Sequence, residues 1–379
     1  MKIYAIISYP FLPATTGGEI STQNILEYMA RVNEVKVFTV DPYQPINPKD
    51  YSFELDFGMR FKASRYLNPF LFFTILKGIK AFKADAIFFD QPWMGWMIPF
   101  LRLLTRKPVF LRSNNIEYLR FKSMGKSWWS LLYMYEKLVY KMCNLVIFVS
   151  DIDQAKAIYE FDLKSENTLL TPYGIPQSSL PEPIPNAKKT IQERHAIPSH
   201  HPIFLFFATL SYQPNYDAVA FIANEIEPRL NQALPNGFTI LICGKNLPAH
   251  LVELVQTKTT MQYLGFVADI ETYIDGANLM LNPIMSGGGV KTKAIDTLGR
   301  GKTVISTAIG AEGIDPKVCS DYLKIAAGEN PWDDFVKLII QQLSAEPSSF
   351  PNAFFETYSW SGIIEKLMGK LRSTQTTNT

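Results

Sequence analysis

Short apolar runs rich in β-branched and aromatic residues alternate along the chain with segments of helical periodicity. This alternation predicts βαβ units and therefore parallel sheets covered by helices. The strands expected in the first half are Ile3–Ser8, Val35–Val40, Ala86–Asp90, Val109–Arg112 and Leu145–Ser150, with a last strand within residues 168–174. Those expected in the second half are Ile203–Ala208, Thr239–Cys243, Met261–Leu264, Leu279–Asn282 and Thr303–Ser306.

Helices are expected between these strands. Pro214 predicts the start of a helix that runs through Leu230, because the fixed φ of proline suits the first helical turn. Further helices are expected after Gly18, Pro69, Trp93, Asn115, Ser150 and Pro331, and over Ser359–Arg372.

A proline-rich stretch separates the two halves. Five prolines between positions 176 and 198 predict a linker at residues 176–200. The histidines in and beside it, His195, His200 and His201, are expected to be exposed to solvent. The predicted division is a first domain at residues 1–175, the linker, a second domain at 201–357, a final helix at 358–373 and a tail at 374–379.

Composition limits the function classes. The 379 residues are 47 % hydrophobic, which is enough for the cores of two domains, and the net charge of +2 gives no reason to expect nucleic-acid binding. The cysteines Cys143, Cys243 and Cys319 lie far apart without a CxxC pair. We therefore expect neither a disulfide framework nor a zinc site, which fits a reducing compartment.

The positive charge is concentrated in one region. Residues 60–141 contain 15 basic and 4 acidic residues, together with 19 of the 50 aromatic residues. Such a mixture suits a membrane surface, where cations meet lipid phosphates, and it is equally compatible with a solvated face over ordinary core aromatics. The longest apolar run, at 93–101, has about half of the ~20 residues that a spanning helix needs. The first ten residues resemble a buried strand more than a signal peptide.

Two glycine-rich turns could approach a phosphate. The first, Pro13–Glu19, places Gly17 and Gly18 before a helix, where backbone amides favour anions. It lacks the GxGxxG spacing, and a purely structural turn is an equal alternative. The second, Met285–Asp296, has three successive glycines before a helix with Lys291 and Lys293, which is typical of a diphosphate site. It is not a Walker A loop, and its alternative is a flexible turn.

These segments together resemble glycosyltransferase family 4, the group 1 glycosyltransferases. The resemblance is carried, in chain order, by Thr171–Ile175, Phe207–Ala218, Leu264–Val267, Asn282–Ile314 and Tyr358–Trp360. It implies an α/β chain with the GT-B fold. In that fold two Rossmann-like, doubly wound domains face a central cleft, and a C-terminal helix crosses back to the N-terminal domain.

The resemblance also implies an activity. A retaining, metal-independent, hexosyltransferase-type enzyme would move a sugar from a UDP- or GDP-linked donor to a glycan or lipid-linked acceptor, without a cofactor. Its setting would be cell-surface polysaccharide synthesis in the cytoplasm, and the basic, aromatic region at residues 60–141 suggests a peripheral location on the inner face of the cell membrane. A non-catalytic nucleotide-sugar-binding protein is the main alternative, followed by a nucleotide-sugar epimerase. A dehydrogenase is disfavoured because the first turn lacks GxGxxG.

Carried onto this sequence, the resemblance assigns roles to individual residues. Lys291 and Lys293 would neutralise the donor diphosphate, which Gly17 and Gly18 would approach from the N-terminal side. Asp296 stands where the family has a glutamate that binds the ribose. The other positions implied at the donor site are Asn215, Gly244, Phe266, Val267, Gly288, Gly289 and Val290.

Two departures from the family pattern bear on mechanism. The first glutamate of the family's pair would fall at Gly288. Asn114 stands where related sequences carry a histidine, and no histidine occurs among the first 194 residues. Asparagine can hydrogen-bond a sugar hydroxyl but cannot carry a proton. We therefore expect Asn114, Lys291 and Asp296 to serve catalysis, with the leaving diphosphate helping to accept the acceptor's proton.

Overall fold

The computed structural model describes residues 1–287, 289–346 and 348–376. The chain forms two compact units. The first comprises Met1–Pro176 and the chain from Tyr358 onward, and the second comprises Gln177–Thr357. Among the described residues, no helix is long and apolar enough to cross a membrane.

The first unit is built on a parallel sheet with the strand order β3-β2-β1-β4-β5-β6-β7. Its strands are β1 (Lys2–Ile7), β2 (Glu34–Val40), β3 (Glu54–Met59), β4 (Ala86–Asp90), β5 (Val109–Ser113), β6 (Leu145–Phe148) and β7 (Thr168–Leu170). Its first helices are α1 (Gly17–Ala30), α2 (Pro69–Phe82), α3 (Ile98–Thr105), α4 (Glu117–Ser123), α5 (Trp129–Met142) and α6 (Asp151–Phe161).

The second unit repeats this architecture, with the strand order β10-β9-β8-β11-β12-β13. Its strands are β8 (Ile203–Phe207), β9 (Thr239–Cys243), β10 (Met261–Gly265), β11 (Leu279–Asn282), β12 (Val304–Thr307) and β13 (Leu323–Ala326). Its helices are α7 (Ala187–Arg194), α8 (Gln213–Phe221), α9 (Glu227–Ala233), α10 (Ala249–Gln256), α11 (Ile270–Gly276), α12 (Thr292–Leu298), α13 (Pro316–Cys319) and α14 (Trp332–Leu343).

The last two helices, α15 (Asn352–Tyr358) and α16 (Trp360–Thr376), carry the chain from the second unit into the first. On one face of the first sheet, α16 packs beside α1, and Trp360, Ile364 and Leu367 are buried there. The opposite face of the same sheet is covered by α2, α3, α5 and α6. The final helix therefore belongs to the first unit, as predicted, and extends to Thr376 rather than ending near Arg372.

The structure contains every predicted strand and two more. The additional strands, β3 and β13, are both sheet edges. Edge strands are half-solvated, so the sequence Glu54–Met59 mixes acids and a glycine with its apolar residues and gives no clear apolar run.

The helix expected from Pro214 through Leu230 is interrupted. A π-helical segment, Ile222–Ile226, lies between α8 and α9. Pro228 follows in the first turn of α9, where its missing N–H would break a continuous α-helical ladder.

The predicted linker at residues 176–200 is not a connection between the two units. It contains α7 and, from Gln177 onward, is part of the second unit. Ile191 is fully buried against a cluster that includes Tyr273 and Ile274 of α11. The prediction that the neighbouring histidines are all exposed is also wrong. His195 is half-buried, with its Nε2 2.9 Å from the Tyr273 hydroxyl, and His201 lies 3.1 Å from Thr239 Oγ1, whereas His200 is exposed. A helix with only one or two core-facing residues leaves little apolar periodicity among prolines.

Candidate functional site

The glycine-rich loop of the second unit lies at the carboxyl edge of its sheet. The loop follows Asn282 at the end of β11 and precedes α12, which begins at Thr292. β11 lies beside β8 in the sheet. From β8 the chain adds β9 and β10 on one side, and from β11 it adds β12 and β13 on the other side, so the direction of winding reverses between β8 and β11. In doubly wound sheets, ligands bind at this kind of switch point.

The backbone of this loop depends on its glycines. Gly287 and Gly289 adopt φ values of +84° and +82°, in the left-handed region that favours glycine, whereas Gly288 falls outside the described residues. A Cβ at Gly287 would lie 2.9 Å from Cγ of Pro214, so the loop packs closely against the start of α8. A Cβ at Gly289 would meet nothing within 4 Å, so the backbone there is open to a ligand.

Lys291 folds back over the loop that precedes it. Its ammonium donates to the carbonyl oxygens of Gly287, at 3.0 Å, and Gly289, at 2.6 Å. Burial lowers the pKa of Lys291, and the nearby carboxylate of Glu312 opposes that shift. The side chain is thus positioned above the glycine turn by neutral carbonyl groups.

Lys293 reaches the same region from the first turn of α12. Its ammonium donates to Asn215 Oδ1 at 3.0 Å and lies 4.7 Å from the ring centroid of Phe206. Burial, reinforced by the charge of Lys291, lowers the pKa of Lys293 to about 7. Within the described part of the chain, neither lysine forms an ion pair with a carboxylate. Two half-buried cations without a counter-ion favour the binding of an anion.

Asp296 lies one turn further along α12. Its side chain has no hydrogen-bond or ion-pair partner among the residues that the structure describes. Burial raises the pKa of Asp296 to about 7, with a further contribution from the charge of Glu271. Because α12 has only seven residues, its dipole is weak, and the two lysines supply most of the positive charge of the site.

Another turn that contains glycines, at residues 310–313, packs against the glycine-rich loop. Gly313 adopts a φ of +77°, and a Cβ there would lie 2.6 Å from Cγ2 of Val290. Asn282 donates from its side-chain amide to the carbonyl oxygen of Gly310, at 2.8 Å. These contacts bring Glu312 towards Lys291, a proximity for which the sequence pattern offered no signal.

The ends of β9 and β10 form the next part of this edge. Gly244, with φ +146°, approaches Ala208 so closely that a Cβ would lie 1.9 Å from the Ala208 carbonyl oxygen. Phe266 is 64 % exposed, and the ammonium of Lys245 lies 4.2 Å from its ring centroid. Val267 instead packs partly buried against the core cluster of β8 and β9. Of these two residues, both implied at the donor site by the family resemblance, Phe266 therefore has the more exposed side chain.

The first glycine turn opens α1 of the first unit. Thr16 caps the helix, and the Glu19 carboxylate accepts from the backbone N–H groups of Thr15, at 2.8 Å, and Thr16, at 2.9 Å. Gly17 and Gly18 are exposed, and a Cβ on either would meet nothing within 4 Å. Glu19 therefore occupies the amides that precede the helix, whereas the glycines themselves leave an open surface.

Three buried polar atoms lie unpaired at the carboxyl edge of the first sheet. They are Ser8 Oγ, Gln91 Oε1 and Asn114 Oδ1, which have no hydrogen-bond partner among the described residues. Strand register places them side by side, because Ile7 pairs with Asp90 and Gln91 donates its N–H to the Arg112 carbonyl. Unpaired buried acceptors are costly, and a hydroxyl-bearing ligand would satisfy them. The sequence analysis identified Asn114 but missed Ser8 and Gln91. Their positions were the available signal, because Ser8 ends a predicted strand and Gln91 directly follows one.

Asp90 takes part in an internal network. It accepts from the hydroxyls of Tyr9 and Thr22, the latter at 2.8 Å, and lies 3.5 Å from Nη1 of Arg112. The sequence places Asp90 at the end of a predicted strand, and only the structure reveals this buried ion pair.

A buried glutamate holds the segment that follows Asn114. Glu136 of α5 accepts from the backbone N–H groups of Glu117, at 2.9 Å, and Tyr118, at 2.7 Å. Burial raises the pKa of Glu136 to about 7. The Glu117 side chain is paired with Arg120 at 2.7 Å, so it braces α4. No cluster of His, Cys, Asp or Glu suited to a metal ion occurs within the described ranges.

Comparison with known proteins finds a family match for the second unit. Residues 201–344 match the family model described as Glycosyl transferases group 1, which confirms the resemblance found in the sequence. No curated protein matches the chain by sequence.

Solved structures share the fold over the whole chain. A glycosyltransferase from Rickettsia africae aligns with a TM-score of 0.72 at 13 % identity, covering 99 % of this chain and 98 % of that one. Anabaena HepE in complex with UDP aligns with a TM-score of 0.73 at 14 % identity, covering 98 % and 100 %. Sucrose-phosphate synthase from Thermosynechococcus elongatus gives 0.65 at 17 % identity, covering all of both chains. The fold of this chain is therefore GT-B, an α/β architecture of two Rossmann-like units.

Proposed function

From a GT-B chain whose second unit matches the group 1 glycosyltransferases, we infer a retaining glycosyltransferase that uses a UDP- or GDP-linked sugar donor. The acceptor we propose is a glycan or a lipid-linked sugar, and the setting is cell-surface polysaccharide synthesis. One observation carries the proposal: Lys291 and Lys293 are held together, half-buried and without a carboxylate partner, beside an open glycine turn. The Anabaena HepE structures contain UDP or UDP-glucose, which supports a nucleotide-sugar donor.

The donor would be held by groups of the second unit. Its diphosphate would lie against Lys291, Lys293 and the amide of Gly289, where opposite charge and an unobstructed backbone favour it. Asp296 would accept hydrogen bonds from the ribose hydroxyls. Phe266 would stack on the base, because its aromatic ring is exposed at this edge of the sheet.

In the proposed step, the bond between the anomeric carbon and the diphosphate oxygen breaks. The acceptor hydroxyl forms the new bond on the same face, and its proton passes to the departing phosphate oxygen. The negative charge that develops on the diphosphate is stabilised by the two lysines. Asn114 Oδ1, buried and unpaired, would accept a hydrogen bond from a sugar hydroxyl and fix its orientation. This route needs neither a histidine nor a metal ion.

A thermal-shift screen against UDP-, GDP-, ADP- and dTDP-sugars tests the donor assignment. A ligand present at about 100 times its dissociation constant should stabilise the protein by about 2.7 kcal/mol. Product formation with the stabilising donor is then followed over a panel of glycan and polyprenyl-linked acceptors. If none of the four donors raises the melting temperature, the proposal is wrong.

A non-catalytic nucleotide-sugar-binding protein is the second candidate. It is favoured by the absence of histidine from the first 194 residues, together with a glycine at the position of the family's first glutamate. Tight binding of UDP, with neither donor hydrolysis nor transfer to any acceptor, would support this candidate over the enzyme.

A further inference from the structure

Three helices of the first unit expose apolar side chains on their outer surfaces. Each buries one stripe against the sheet, including Ile79 of α2, Leu101 of α3 and Val139 of α5. On the opposite stripes, the side chains are half or more exposed. These outward residues, the apolar helix face, are Phe70, Phe73, Phe100, Leu103, Leu104, Leu131, Met134 and Leu138.

The three helices are neighbours in one layer. The rings of Phe72 in α2 and Phe100 in α3 lie 6.1 Å apart. The guanidinium of Arg102 in α3 donates to the carbonyl of Met142 at the end of α5. Phe73, Phe72 and Phe100 thus form one aromatic cluster across α2 and α3, and α5 lies beside α3 in the same layer. Isolated exposed apolar residues are ordinary, whereas a contiguous patch marks an interaction site.

Basic side chains accompany the apolar helix face. Lys77, Lys80, Lys83 and Arg106 are exposed, and none forms an ion pair with a described residue. No acidic residue occurs in α2 or α3.

The acidic residues of this region do not offset that charge. The only acid of α5, Glu136, is fully buried, and so are Asp90 and Glu117. The fourth acid, Asp85, is half-buried and accepts from the backbone N–H of Lys2, and two of the basic residues, Arg65 and Arg112, are buried as well. The exposed surface over residues 60–141 therefore keeps the strongly positive balance of the sequence count.

We propose that the apolar helix face docks on the surface of an anionic lipid bilayer. Its leucine and phenylalanine side chains would enter the boundary between headgroups and acyl chains, while the lysines and Arg106 meet lipid phosphates. A second copy of this chain is a poorer occupant, because a two-fold pair would bring identical clusters of unpaired cations together. The inference is independent of the proposed donor chemistry, because it rests on the first unit alone.

Vesicle co-sedimentation of the full chain tests the apolar contribution. The wild-type protein should bind vesicles of equimolar phosphatidylcholine and phosphatidylglycerol at low salt, and bind phosphatidylcholine alone much less. Replacing Leu103, Leu131 and Leu138 together by serine should reduce the partition coefficient by more than about tenfold. The three side chains are exposed, so the melting temperature should stay unchanged. Val32→Ser, an exposed apolar residue outside the face, is the matched control.

The charge contribution has its own variant. Lys77→Gln with Lys80→Gln should weaken binding to the anionic vesicles by about 30-fold at low salt, and by less at high salt. Lys317→Gln with Lys366→Gln removes two exposed lysines elsewhere and should leave vesicle binding unchanged.

Three results would overturn the docking proposal. The first is failure of the wild-type protein to bind the anionic vesicles at low salt. The second is unchanged binding by the triple serine variant. The third is a dimer in light scattering that the triple serine variant converts to a monomer. The increase in melting temperature on adding UDP is measured for the same variants. The serine variant should retain this increase, so a failure of membrane binding can be told apart from a failure of the donor-site proposal.

Discussion

The two units share a winding order yet place different chemistry at the same structural position. At the switch point of the second sheet, two lysines without carboxylate partners lie beside a glycine loop. At that of the first sheet, the unpaired groups Ser8 and Gln91 are neutral, and the Asp90 carboxylate is paired with Arg112. One architecture can therefore provide a site for an anion and a site for hydroxyl groups, and the residues that follow each strand decide which.

The largest expected effect comes from removing the charge of the second unit. Lys291→Met with Lys293→Met keeps the apolar stems and deletes both cations, so donor affinity should fall by 100-fold or more, or about 3 kcal/mol. Isothermal titration with UDP measures it, and Lys317→Gln serves as the control. Affinity within a factor of three of wild type would contradict the anion site.

A pair of glycine substitutions compares backbone constraint in the two units. Gly244→Ala places a Cβ against the Ala208 carbonyl and should destabilise the protein by about 3 kcal/mol. Gly17→Ala enters open space at a helix start and should be neutral or slightly stabilising. Urea unfolding of both variants gives the difference. Equal destabilisation would show that the open turn is also constrained.

Asn114→Ala tests the neutral site of the first unit. It removes a buried acceptor that lacks a partner, so the free energy of unfolding should stay the same or rise. Turnover with a productive donor and acceptor should fall about tenfold, with donor affinity unchanged. If donor affinity fell instead, the proposed role of Asn114 in orienting a sugar hydroxyl would be wrong.

A smaller effect is a pH dependence of donor affinity, which should come from the second unit alone. Free Lys293 has a pKa of about 7, and a bound diphosphate favours its protonated form, so binding takes up a proton above pH 7. Donor affinity should therefore decline as the pH rises from 7 to 9, by less than tenfold for each pH unit. Titrations in buffers of different ionisation enthalpy report the proton, and Lys293→Met should abolish its uptake.

The free energy of unfolding should depend on pH through an acidic group of the first unit, Glu136. The folded pKa of Glu136, about 7, lies above the ordinary value for glutamate, so its protonated form is favoured by folding. Its contribution to stability is fully present below about pH 4.3 and is lost as the pH rises through 7. Chemical unfolding at a series of pH values measures this trend, and Glu136→Gln should flatten it. An unchanged slope in that variant would exclude Glu136 as the source.

Local patterns in the sequence predicted eleven of the strands, the two α/β halves and the lysine-bearing glycine loop. These features are local, because a buried parallel strand is an apolar run and a phosphate turn needs glycines with nearby cations. The edge strands β3 and β13 and the helix α7 were missed, because their burial depends on a few residues that meet partners far along the chain. The chain fold then brings Ser8, Gln91 and Asn114 to one edge of the first sheet and places α2, α3 and α5 in one layer. Strand order and helix orientation set those neighbours, and no pattern within a single segment encodes them.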